Sequence, residues 1–91
     1  MNRKRERLQV IYDILKAIQE RDGNIKPTHI LYKSNLSHQM LDEYMNELIE
    51  GNFVVKIEKE KYKTYKITQK GIDYIDKYKL ITNFINSFGL N

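Results

Sequence analysis

The sequence predicts an α+β chain, mostly helical, with four helices and a two-stranded hairpin set before the last of them. Three observations predict it. Apolar residues recur at helical spacing over residues 6–21, 37–50 and 68–88. Between residues 53 and 67 the pattern changes to β-branched and aromatic residues. Gly23, Ser34-Asn35, Gly51 and Gly89 punctuate the stretches. With 91 residues, 41% of them hydrophobic, the chain makes one small domain, 1–91.

In the first helix Leu8, Ile11, Leu15 and Ile18 fall at spacings of three, four and three, which is one face. Ile14 and Ala17 widen the stripe, and Asp22-Gly23-Asn24 stops it. Arg3, Lys4 and Arg5 would face the positive end of the helix dipole. They read either as an arm free for phosphates or as a disordered basic terminus.

Pro27 opens a short second helix over Pro27–Lys33, anchored by Ile30 and Leu31. Ser34-Asn35 breaks it, and Leu36 plugs the turn. Ser37 is a good N-cap for a third helix running to about Glu50. Its apolar positions are Met40 or Leu41, then Tyr44, Met45, Leu48 and Ile49, and Gly51 ends it. Two helices joined by a short turn form a helix-turn-helix pattern, which many small bundles also contain.

Phe53, Val55 and Ile57 should share one face of the first strand, and Tyr65 and Ile67 one face of the second. Lys59-Glu60-Lys61 is the turn between them. Thr68 caps the last helix, which runs to about Ser87 with Gly89 closing it. There Tyr74, Tyr78, Ile81, Ile85 and Phe88 recur at four, three, four and three, as in a coiled-coil seam, with Ile75 and Phe84 beside it. Gly71 lies one turn into this helix, where glycine costs roughly 1 kcal/mol against alanine. A close backbone approach explains it, by the first helix or by a hairpin strand. Helix-turn-helix followed by a hairpin is the winged-helix arrangement: residues 6–67 form the helix-turn-helix and wing, and 68–88 the C-terminal helix.

Charge narrows the function. The formal net charge is +4. Residues 1–52 balance eight basic against eight acidic groups, while 53–91 hold eight basic and four acidic. Six lysines fall between residues 56 and 70. Such a segment attracts a phosphate backbone; it also suits an edge hairpin protected against aggregation. The absence of cysteine excludes disulfides, thiolate zinc sites and cysteine nucleophiles. His29 and His38, nine residues apart, match no metal-ligand spacing and read as surface or capping residues. No nucleophile–base pair or glycine-rich phosphate loop is visible, so an enzyme is not expected, nor a cofactor or small-molecule ligand. No apolar run is long enough to span a bilayer, and the basic start lacks the apolar stretch of a secretory signal. A cytoplasmic, nucleoid-associated protein is expected.

Two stretches carry a resemblance. Ile30-Leu31-Tyr32-Lys33-Ser34-Asn35-Leu36-Ser37 resembles the second-helix-and-turn segment of the small archaeal winged-helix DNA-binding proteins of roughly 10 kDa. Tyr65-Lys66-Ile67-Thr68-Gln69-Lys70-Gly71 is similar to their strand-to-helix junction. The likeness spans about residues 8–80. It implies binding of double-stranded DNA, sequence-tolerant or operator-directed, by a homodimer joined through antiparallel C-terminal helices.

On this reading Ser37, His38, Gln39 and Asp42 enter the major groove, with glutamine suited to adenine and a carboxylate to cytosine N4. Lys33 reaches a phosphate, Lys59, Lys61 and Lys63 reach flanking phosphates or the minor groove, and Arg3, Lys4 and Arg5 add a backbone contact. The third helix departs from the pattern: residues 37–51 carry Asp42, Glu43, Glu47 and Glu50 and no lysine or arginine. Weak or shape-led selectivity is expected, and the alternative is a winged-helix module that docks on protein instead of DNA. Tyr74, Tyr78, Ile81, Phe84, Ile85 and Phe88 are the expected dimer contacts. The alternative is a last helix folded back over the first in a closed monomer.

Overall fold

The computed structural model describes residues 6–21 and 23–90. The elements, in order, are α1 (Arg7–Arg21), α2 (Pro27–Ser34), α3 (His38–Glu50), β1 (Val54–Glu58), β2 (Lys63–Ile67) and α4 (Gln69–Ser87). This is the winged-helix order expected from the sequence. The basic residues Arg3, Lys4 and Arg5 lie outside the described residues.

α1 runs through the middle of the core, burying Val10, Ile11, Ile14, Leu15, Ala17 and Ile18. Leu8 does not join the stripe; it is 51% exposed. α2 extends one residue further than expected. Ser34 is buried and its hydroxyl donates to the Ile30 carbonyl, so it closes the last turn rather than breaking it. Asn35 makes the break, at φ 56°, with its N–H on the Leu31 carbonyl. Leu36 is half-buried against the core. In α3 the Ser37 hydroxyl accepts from the Met40 N–H at 3.2 Å, and Leu41, Met45 and Leu48 are buried. Of the two candidates, Leu41 takes the core position and Met40 faces out.

β1 and β2 pair antiparallel from Val54↔Ile67 to Glu58↔Lys63. The Lys59 N–H donates to the Tyr62 carbonyl at 2.8 Å and closes the loop, so Tyr62 belongs to the turn. The expected face of β1 is corrected here, while Tyr65 and Ile67 of β2 do share the core side. Val54, not Val55, is in the core, and on β2 the consecutive residues Thr64 and Tyr65 are both buried. The hairpin has a third partner. Ile25, between α1 and α2, bridges Tyr65, whose N–H donates to the Ile25 carbonyl at 3.2 Å. Ile25 gives the middle of β2 a partner on its second edge.

The hairpin is anchored to α4 at one junction. The Thr68 hydroxyl accepts from the Gly71 N–H at 3.2 Å and donates to the Asn52 carbonyl at 2.6 Å. The Thr68 N–H donates to the Phe53 carbonyl at 3.1 Å, and the Lys70 ammonium to the Gly51 carbonyl at 2.8 Å. A Cβ on Gly71 would stand 2.6 Å from both the Phe53 carbonyl oxygen and Ile67 Cγ1. The close approach comes from the hairpin, one of the two expected sources. Gly71→Ala must displace backbone, at a cost of roughly 1–3 kcal/mol that outweighs the helix propensity gained. The thermal midpoint, read by circular dichroism, is expected to fall by about 5–15 °C.

The first half of α4 packs on its own chain. Ile75 is buried, Tyr78 stacks on Tyr12 with centroids 4.8 Å apart, and Tyr74 meets Phe53 edge-on at 6.1 Å. The Tyr74 hydroxyl donates to the Leu8 carbonyl at 2.6 Å. Burial pushes its pKa up to about 12, with Tyr78 adding and Arg7 opposing. Unfolded tyrosine titrates near ~10. The stability from this protonated hydroxyl is therefore complete below pH ~10 and is lost as pH rises from there toward the folded value. An alkaline unfolding series should show that decline, and Tyr74→Phe should make it shallower, with Tyr65 and Tyr78, whose pKa values burial also raises, supplying the remainder.

Beyond Tyr78 the helix leaves the body. Leu80, Ile81, Phe84 and Phe88 are all more than half exposed, and the chain is 49 Å long against 28 and 21 Å across. Tyr74 and Tyr78, expected in a seam between chains, are thus held within one chain. Of the expected contacts, Ile81, Phe84 and Phe88 are left bare and Ile85 half-buried.

Candidate nucleic-acid interface

α3 presents three sides. At about 100° per residue, Leu41, Met45 and Leu48 fix the buried direction. Gln39, Glu43, Asn46 and Glu50 stand opposite, and all four are exposed. One flank faces the start of α1. There Arg7 pairs with Glu47 in a half-exposed ion pair, with its guanidinium 5.6 Å from the centre of the Tyr44 ring. That carboxylate holds the Arg7 pKa above its ordinary value.

The other flank carries Asp42, whose charge is felt at Tyr65 of β2. Burial pushes its hydroxyl pKa up, Lys56 opposes the shift, and the carboxylates of Asp42 and Glu58 add to it. Asp42 of α3 and the side chains of β1 therefore share one electrostatic neighbourhood. Lys56 pairs with Glu58 at 3.6 Å in the same place.

Ser37, His38, Gln39 and Asp42 are exposed along the first turns of α3. Lys59, Lys61 and Lys63 are exposed in and beside the wing loop. Lys33 is placed differently. It lies on the flank of α2 that faces α1, among Asp13, Lys16, Ala17 and Glu20, and not with the α3 residues. Two of the α3 carboxylates, Glu43 and Glu50, share the outermost face with Gln39, while Glu47 pairs with Arg7 and Asp42 is exposed on a flank.

One cation was missed in the sequence. The Lys26 ammonium sits 4.6 Å from the centre of the Tyr62 ring, which joins the entrance of α2 to the wing loop. The signal was Ile25, an isolated β-branched residue before Pro27; read as a one-residue strand on the hairpin edge, it puts Lys26 beside the wing. Among the described residues no group of three or more histidine, aspartate or glutamate side chains is placed to hold a metal ion. No helix among them is long and apolar enough to cross a membrane.

Known proteins share this architecture. A Methanocaldococcus jannaschii protein, the uncharacterized MJ0290, is 28% identical over 82 residues, covering 90% of this chain. The chain spans only 36% of that relative's length. The crystal structure of Sso10a-2, a DNA-binding protein from Sulfolobus solfataricus, superposes with a TM-score of 0.80 at 18% identity, over 92% of this chain and 85% of that one. The multiple antibiotic-resistance repressor MarR from Listeria monocytogenes superposes with a TM-score of 0.65 at 19% identity, over 86% and 58% of the two chains. At such identities these structures establish the fold. The helix pair, the hairpin pinned by Thr68 and Gly71, and the match of residues 4–86 to a family profile described as winged helix-turn-helix lead to one assignment: the chain belongs to the winged helix-turn-helix family.

Proposed function

We propose that the chain is a homodimeric DNA-binding protein, a transcription regulator or chromatin-like factor, that holds duplex DNA between the start of α3 and the lysine-rich wing. The observation that carries this reading is the cation set at the wing. Lys59, Lys61 and Lys63 are exposed there, and Lys26 lies beside them on the Tyr62 ring. Ser37, His38 and Gln39 supply short polar side chains for base edges. That Sso10a-2 is a DNA-binding protein of the same fold agrees with it. The wing lysines supply phosphate attraction and α3 supplies little, so modest sequence selectivity is expected. The bare face of α4 at Ile81, Phe84 and Phe88 supports pairing with a second copy, which sets two wings on one duplex. Such a protein works at the nucleoid, in the cytoplasm.

Gel shifts with a duplex across a salt series test the reading. Affinity should fall steeply as salt rises; an affinity indifferent to salt contradicts phosphate contacts.

A second reading has its own observation. Glu43 and Glu50 stand on the outermost face of α3, where a phosphate backbone would repel them. That face suits a basic protein surface. A protein partner retained after nuclease treatment, with no shift of any duplex, favours this module over the DNA-binding one.

A further inference from the structure

The Lys26 ammonium and the Tyr62 ring meet where the wing loop comes beside the entrance of α2, 4.6 Å from nitrogen to ring centre. Backbone hydrogen bonds fix both sides of the contact. The Tyr62 carbonyl accepts from the Lys59 N–H at 2.8 Å. The Ile25 carbonyl, one residue before Lys26, accepts from the Tyr65 N–H at 3.2 Å. Lys26 itself is extended, at φ −94° and ψ 159°, and Pro27 after it restricts it to that region. Side chains rooted on such fixed backbone lose less freedom on meeting than free ones do.

What holds Lys26 decides what its charge can do. Lys56, on β1, is held by Glu58 at 3.6 Å, and the carboxylate offsets its charge. Lys26 takes part in no ion pair among the described residues. An aromatic face attracts an ammonium through its quadrupole and has no net charge, so the cation is positioned and remains a full cation. Lys26 is exposed, and an ammonium has three N–H donors, so those turned away from the ring are left for an anion. The loop beside it carries Lys59, Lys61 and Lys63 against Glu60.

On the DNA-binding reading, on which this rests, we propose that Tyr62 is a positioning residue of the interface. Its ring holds the Lys26 ammonium at the wing, so that a cation from the entrance of α2 joins Lys59, Lys61 and Lys63 on one stretch of phosphate backbone. Tyr62 acts through Lys26 and not by stacking on a base.

The test is a double-mutant cycle on the full chain, with affinity for a ~20-base-pair duplex read by fluorescence anisotropy across a salt series. Both side chains are exposed, so the variants should keep the fold, as circular dichroism checks. Lys26→Gln should lower the salt slope by about 0.9 for each wing engaged. Tyr62→Leu leaves every charge in place, yet should weaken binding about two- to fivefold. Tyr62→Phe keeps the ring and should bind as the original does. The double variant should bind no more weakly than Lys26→Gln alone. In the free protein, the ε-methylene protons of Lys26 should change their NMR shift on Tyr62→Leu, because they lose the field of the ring. The proposal is overturned if those protons do not move, if Tyr62→Leu binds as tightly as the original, or if Tyr62→Phe is as weak as Tyr62→Leu. It is equally overturned if the double variant shows both losses in full, which puts the ring on DNA directly. A protein carrying Lys59→Glu, Lys61→Glu and Lys63→Glu separates the two levels. If it binds weakly while Tyr62→Leu is unaffected, the positioning role alone fails; if it binds as the original does, DNA binding at the wing fails with it.

Discussion

A protein carrying Lys59→Glu, Lys61→Glu and Lys63→Glu is expected to lose duplex binding by at least about 100-fold while keeping its fold. Three phosphate contacts give a salt slope near −2.7, or roughly a 40-fold loss of affinity between 50 and 200 mM salt. Reversing three charges removes those contacts and adds repulsion. The fold should hold, since all three side chains are exposed and the strands pair through their backbones. Gel shifts measure the loss, and circular dichroism confirms the fold. Retained affinity in a folded triple variant would move the interface away from the wing.

The second large effect concerns α4. A protein carrying Ile81→Asp and Phe84→Asp is expected to sediment as a monomer. Both side chains are more than half exposed, and they make a continuous apolar strip with Phe88, whose ring lies 5.0 Å from that of Phe84. Such a strip on an overhanging helix has no cover among the described residues, and burying it yields about 25 cal/mol per Å². Monomers carry one wing each, so their affinity for a long duplex should fall by about 10²–10⁴-fold as the linkage of two modules is lost. The core is not touched, because Ile75, the buried apolar side chain of α4, lies more than one turn before Ile81. A variant that still sediments as a dimer would place the contact elsewhere.

Much of this molecule was legible in its sequence. Helical spacing, Ser37, Gly51, Thr68 and Gly71 marked the elements and one tight contact, because each reflects local backbone chemistry that the fold preserves. What escaped was the identity of partners. The spacing of Tyr74 and Tyr78 with Ile81 told which face of α4 is apolar, but not that Tyr12 and the Leu8 carbonyl take the first half of it. On β1 the core side is taken by Val54 and not by Val55, and the bridge from Ile25 to Tyr65 on the far edge of β2 went unread. The same omission hid Lys26. For the candidate site, the exposed residues at the start of α3 and in the wing loop were legible as a set. The destinations of the acidic residues were not. Glu47 turns to Arg7, forty positions away in the chain, and Lys33 turns to α1, and neither follows from local pattern.

The most direct measurement is an amide NMR footprint of a ~20-base-pair duplex on the full chain. The account predicts that residues 37–42 and 59–63 shift together in one saturable titration. Shifts confined to the outer acidic face of α3, or none at all at the wing, would contradict it.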